Sequence, residues 1–243
     1  GQGADAHIEM GSDAVDNFGG DGRVRVRSHP LFPDPDDEDN DRDRFVRKAY
    51  LRFDLSSVVE TPSSGHPSAV TLDLTWAQNF ANGATGLPWT VNLYGLLDGV
   101  TGDSSPGSGG WIEGVLNGSN APANDLSFDG DDAGTPTKGL TGDATPLLDA
   151  VTFTAAAAAG DTLSFSSPAL TDFILADTND LLTLILVAGT DGTGNAADGS
   201  NAIADFYSKE GSGTPPTLTI IPEPASLGLL VAGVVLVAGG RRS

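Results

Sequence analysis

Residues 23–28 read Arg-Val-Arg-Val-Arg-Ser, a strict alternation that sets Val24 and Val26 on one face and arginines on the other. A period of two is the mark of a half-buried β-strand. The pattern returns along the chain. Residues 45–55 set Ala49, Leu51, Phe53 and Leu55 against Tyr50, Arg52 and Asp54, and residues 70–76 point Val70, Leu72, Leu74 and Trp76 one way. Residues 89–96 group Trp89, Val91 and Leu93. Further strands are expected at 162–166, 203–208 and 217–221, and the apolar run 181–189 reads as a central strand covered on both faces. One short helix is expected from Pro168 to Ala176 with Ser167 as its cap. The Ala155–Ala159 run reads as either a helical turn or a small-residue loop. Turn-rich stretches at 101–110, 117–146 and 190–201 lie between these segments. Eight or more strands with such links, and no alternation with long helices, imply an all-β, two-sheet β-sandwich.

The C-terminal end breaks this pattern. Sixteen uncharged residues run from Ala225 to Gly240, introduced by Pro222-Glu223-Pro224 and closed by Arg241 and Arg242. A membrane-spanning helix needs about 20 apolar residues, so the span is marginal, and its glycines weaken it further. The arginines favour the cytoplasmic side. A tail anchor or a removable signal fits these features. In order and position they resemble a PEP-CTERM sorting signal, with a C-terminal apolar sorting helix. The resemblance implies export in a Gram-negative-type bacterium, recognition by an exosortase-type membrane transpeptidase, and delivery to the cell surface or extracellular matrix. Pro222 and Pro224 forbid helix and hold an extended, protease-readable segment. Glu223 is then a processing determinant, and membrane contact is expected only through the tail before processing. The chain divides at 1–221 and 222–243. An N-terminal export signal is expected to have been removed or to lie outside this sequence, which begins Gly-Gln-Gly-Ala.

A second resemblance covers residues 4–221. "ADAHIE", "NFGGDGRVRVRS", "RKAYLRFDLSSV", "SAVTLDLTW", "VNLYGL", "GWIEGVLNGSNAPA" and "ADFYSKEGSGTPPTLTI" occur in this order. They are similar to the DNRLRE-type domain, a jelly-roll β-sandwich related to carbohydrate-binding modules. The resemblance implies an opening strand at "ADAHIE" and a non-catalytic binding role. The acidic loop 33–43 is an insertion relative to that pattern.

Charge narrows the partners. Twelve Lys and Arg face 33 Asp and Glu, a formal charge of −21, and cysteine is absent. Such a chain does not bind nucleic acid through backbone charges, and it has neither disulfides nor thiolate metal sites. It gathers cations or stays soluble by self-repulsion. Between residues 33 and 43 lie six aspartates and one glutamate. Asp36, Asp37, Asp39 and Asp41 are candidate calcium ligands there, because hard cations want several carboxylate oxygens. The other reading is a solvated loop. The second resemblance implies a structural calcium tying the first strand to the last, which brings in Asp5 or Glu9 with Asp205. Asp205 interrupts an apolar strand, which gives it a reason to need a partner; the other reading is an outward-facing carboxylate. Asp191, Asn195 and Asp198 are also spaced like calcium ligands.

For sugar binding, aromatic faces and hydrogen-bonding groups are required. The aromatic candidates are Trp76, Trp89, Trp111, Tyr94 and Tyr207. Trp76 and Trp89 fall on apolar faces and read as core, Trp111 opens a segment that the second resemblance treats as structural, and Tyr50 and Tyr94, which project opposite the apolar set, are the better surface candidates. Arg52, with Arg47 and Lys48, either meets an acidic polysaccharide or neutralises the acidic loop. His7, His29 and His66 are scattered, with no partner constellation for nucleophilic catalysis or zinc. The expected function is therefore non-catalytic: binding of extracellular polysaccharide, or self-association into a surface layer or filament.

Overall fold

The computed structural model describes residues 3–10, 14–27, 46–56, 67–78, 89–100, 111–125, 140, 145–153, 157–189 and 203–222. Asp36, Asp37, Asp39 and Asp41 lie outside the described residues, as do Asp191, Asn195 and Asp198 and the tail from Glu223 through Pro224, Arg241 and Arg242. The strands are β1 (Ala4–Glu9), β2 (Arg23–Arg27), β3 (Arg47–Asp54), β4 (Pro67–Thr75), β5 (Trp89–Gly95), β6 (Leu147–Phe153), β7 (Thr162–Phe165), β8 (Leu181–Ala188), β9 (Ile203–Tyr207) and β10 (Thr217–Pro222). The α-helix α1 (Pro168–Leu175) lies between β7 and β8, and a 3₁₀ turn spans Glu113–Val115.

Two antiparallel sheets result. A seven-stranded sheet runs β6-β5-β8-β3-β2-β9 with β1 also paired to β3, and a three-stranded sheet runs β10-β4-β7. The alternation read from the sequence sets the register. Val24 and Val26 of β2, Ala49 and Leu51 of β3, and Leu182, Leu184 and Leu186 of β8 meet Val70, Leu72 and Leu74 of β4 and Phe165 of β7 in one core. Helix α1 adds Leu170 and Ile174 to that core, and its cap is the one expected: Ser167 Oγ accepts from Leu170 N at 3.0 Å. A Ser cap satisfies one of the helix's unpaired N–H groups and contributes about 1 kcal/mol. Strand β6 is not visible in the alternation, because Leu148, Val151 and Phe153 all pack on this core while a register shift opposite Leu93 and Tyr94 breaks their period of two.

The outer face of the large sheet is also covered. Ala4, Ala6, Ile8, Tyr50, Ile185 and Val187 pack with Trp111, Leu116 and Ala121 in a second cluster. Strand β8 therefore has both faces buried, as its continuous apolar run implies. The covering segment, residues 111–125, is pinned to the sheet by Trp111 Nε1 donating to Thr183 Oγ1 at 3.1 Å and by Tyr50 donating to the Pro122 carbonyl at 3.0 Å. This corrects the expectation for the tyrosines. Tyr50 is 0% exposed and Tyr94 8%. Both do point opposite the main core, but that side is roofed rather than open to solvent. Among the described residues, no helix is long and apolar enough to cross a membrane.

Candidate functional site

Strand β1 alternates small apolar residues with Asp5, His7 and Glu9, and all three polar side chains are buried. Asp5 lies at the meeting point of three segments. Lys209 N, in the turn after β9, donates to Asp5 Oδ2 at 2.9 Å, and Asp5 N donates to Glu113 Oε1 at 2.9 Å. The Lys209 ammonium bonds Glu113 and, at 2.5 Å, Glu210. Asp5 Oδ1 is buried with no hydrogen-bond partner. Burial pushes the Asp5 carboxyl up to about 7; the Lys209 N–H opposes this and the Glu210 and Glu113 charges add to it. For Lys209, burial works against the charge, but hydrogen bonds to Glu113 and Glu210 outweigh it and raise the pKa.

Carboxylate atoms of Asp5, Glu113 and Glu210 lie within 4.8 Å of one another, a spacing that fits a cation. Three carboxylates are hard oxygen donors of the kind calcium or magnesium takes, and the unsatisfied Oδ1 is an acceptor in need of a positive partner. The Lys209 ammonium is the cluster's internal cation. A divalent ion has to displace it, and the side chain is 34% exposed.

Of the set Asp5, Glu9 and Asp205, only Asp5 joins this group. Glu9 is answered by Arg47 Nε at 2.5 Å and lies 3.6 Å from His7 Nε2. Burial alone raises its pKa, but His7 and Arg47 together bring it below the ordinary value. Asp205 Oδ2 accepts from Arg23 Nη1 at 3.4 Å, while Arg25 Nε lies 3.4 Å from Oδ1, which is buried and has no hydrogen bond. Both carboxylates are thus ion-paired with arginines and stand apart from the Asp5 cluster. His7 is buried and stacks on Phe18 with ring centroids 4.6 Å apart.

Two clefts flank the turn after β9. The first, about 490 Å³, opens between β1, β3 and β10 and is lined by Asp5, Arg52, Asp54, Lys209, Pro215 and Leu218. Arg52 borders it while held in place, its Nη1 donating to the Trp111 carbonyl at 2.6 Å and its guanidinium 4.9 Å from the Trp111 ring centroid. The second, about 440 Å³, is polar and lined by Asp21, Arg23, Arg25, Tyr207, Glu210 and Ser212. Tyr207 is the half-buried one of the chain's three tyrosines. Its ring lies so close to Gly213 that a Cβ there would overlap it. Lys48, by contrast, is 0% exposed and unavailable to a soluble polymer.

Glu113, Lys209 and Glu210 were not read from the sequence as site residues. The signal available was scarcity: the chain has six glutamates, and two of them come to this cluster. No protein-family model matches the chain, and no curated protein matches it.

Proposed function

We propose that this is an exported, non-catalytic protein of the cell surface or extracellular matrix of a Gram-negative-type bacterium. Its jelly-roll-like β-sandwich binds extracellular polysaccharide, and its C-terminal signal is handled by an exosortase-type transpeptidase. The observation that carries the binding reading is the second cleft, where Tyr207 sits beside Arg23 and Arg25. Asp21 and Glu210 share the wall of this cleft and Asp205 lies 3.4 Å from each arginine, so the arginines act as forked donors to sugar oxygens rather than as surplus positive charge, and the tyrosine supplies a ring face for a sugar. Arg52 offers the same chemistry at the first cleft. Calcium at Asp5, Glu113 and Glu210 fixes the turn that separates the two clefts and so shapes both of them.

A polyuronate and a neutral glucan, titrated into the full chain with calcium and with chelator, test this. Saturable binding of the polyuronate, weakened at least roughly tenfold in Tyr207→Ala, supports it. A second reading, self-assembly, is favoured by β10. It is the terminal strand of the three-stranded sheet, and it presents Ile221, a large apolar side chain that is 47% exposed. Exposed apolar side chains on a terminal strand favour association with another chain. Absence of glycan binding together with concentration-dependent growth in light scattering selects that reading.

A further inference from the structure

Strand β3 carries a lysine into the second apolar cluster. Lys48 is fully buried, and its Nζ lies 2.6 Å from Oδ1 of Asn124. The carboxamide is fixed from its other end: Asn124 Nδ2 donates to the Gly118 carbonyl at 2.6 Å and contacts Met10 Sδ at 3.2 Å. Its carbonyl oxygen is thereby turned toward the lysine. The residue before it, Ala123, has φ 55, a left-handed conformation that a residue with a Cβ adopts only when its surroundings impose it. The next residue, Asp125, acts electrostatically on the Lys48 ammonium.

Burial draws the Lys48 pKa down to about 7, against the pull of Asp125. A desolvated lysine near neutrality spends much of its time as the neutral amine, which is a nucleophile. The electrophile is held in place. Nζ touches the oxygen, and Cγ is one C=O bond, about 1.2 Å, beyond it. Attack distances of roughly 3–3.5 Å in a fixed geometry are what accelerate intramolecular reactions.

We propose that Lys48 and Asn124 join in an intramolecular isopeptide bond, with Asp125 as the proton relay. The neutral Nζ attacks Cγ of Asn124 and the Nζ–Cγ bond forms. A proton passes from Nζ through the Asp125 carboxyl to Nδ2, the Cγ–Nδ2 bond breaks, and ammonia leaves. One amide replaces another, no electrons are exchanged, and Asp125 ends as it began. The bond ties β3 to the segment that roofs it, between residues 76 apart in sequence. In a chain without cysteine it performs the task of a disulfide, restricting the unfolded state by closing a long loop.

The test is the intact mass of the full chain, followed by tryptic mapping. The expected mass is that of the sequence less one ammonia. The peptide Lys48–Arg52 is expected to be carried covalently on the peptide that ends at Lys138. Mapping is needed because Asn82-Gly83 and Asn117-Gly118 lose the same mass on cyclising to a succinimide. Lys48→Arg and Asn124→Ala, with folding checked by circular dichroism, should keep the full mass, and Asp125→Asn should leave most chains unlinked. A parent protein of full mass, or one whose loss maps to an Asn-Gly pair while trypsin cuts after Lys48, overturns the bond. Complete linkage in Asp125→Asn overturns the relay.

Discussion

The phenol of Tyr50 donates to the carbonyl of Pro122 at 3.0 Å, and this hydrogen bond is wholly buried between the large sheet and the segment that covers it. Tyr50→Phe leaves that carbonyl without its donor. Stranding a buried acceptor costs about 1–3 kcal/mol. Tyr50→Ala adds loss of the ring and is expected to cost about 3–5 kcal/mol. Urea unfolding of the two variants checks this. A Tyr50→Phe midpoint equal to the parent's would mean that the roof is held without this bond.

Asp5 makes stability depend on pH. Its carboxyl is raised from 3.8 to about 7 by burial, so the folded state binds the proton more tightly than the unfolded one. The resulting stabilisation is whole below the unfolded value and is lost as pH rises through about 7. Asp177, raised to about 6 by burial and the Asp98 charge, works in the same direction over a lower window. Glu9 works oppositely: its lowered pKa stabilises above the ordinary 4.5 and fails in stronger acid. In chelator, the parent is expected to be more stable at about pH 5 than at about pH 8, with Asp5→Asn narrowing the gap. An unchanged gap in that variant would remove Asp5 as the source.

A cation reverses that trend. Binding at Asp5, Glu113 and Glu210 requires the Asp5 proton to leave, so affinity falls toward tenfold per unit as pH drops below about 7. Calcium is expected to raise the melting temperature of the parent at about pH 8 and to do little for Asp5→Asn. Lys209→Met removes the competing ammonium and should bind more tightly than the parent. If all three proteins respond alike, the ion binds elsewhere on this acidic chain.

The strands were legible because their alternation is local: Val24, Val26, Leu72 and Leu74 announce their face within a few residues. What covers the other face is not local. Periodicity places Tyr50 opposite Leu51 correctly, yet it carries no word of Trp111 or Pro122 arriving from far along the chain. The site follows the same rule. Asp5 enters only as one alternative, with Glu9, through the calcium that the second resemblance implies, and its partners come from a 3₁₀ turn and a turn after β9, separated from it by 108 and 204 residues. Strand β6 escapes for a local reason: its core-facing residues Leu148, Val151 and Phe153 are unevenly spaced, because the register shifts where Leu147 and Asp149 pair with Tyr94 and Leu93.

Gly95 and Phe173 set how closely α1 can sit on the large sheet. A Cβ at Gly95 would fall inside the van der Waals envelope of the Phe173 ring, so the close approach of the helix depends on the missing side chain. Gly95→Ala forces the ring or the whole helix outward. Overpacking of this kind costs about 1–3 kcal/mol. Phe173→Leu shortens the opposing side chain and should recover part of the loss, so the two substitutions are expected to be non-additive by at least about 0.5 kcal/mol. Unfolding midpoints for the two single variants and the double variant measure this coupling. Strict additivity would show that the helix has room to yield, and that the glycine serves the turn after β5 rather than the packing of α1.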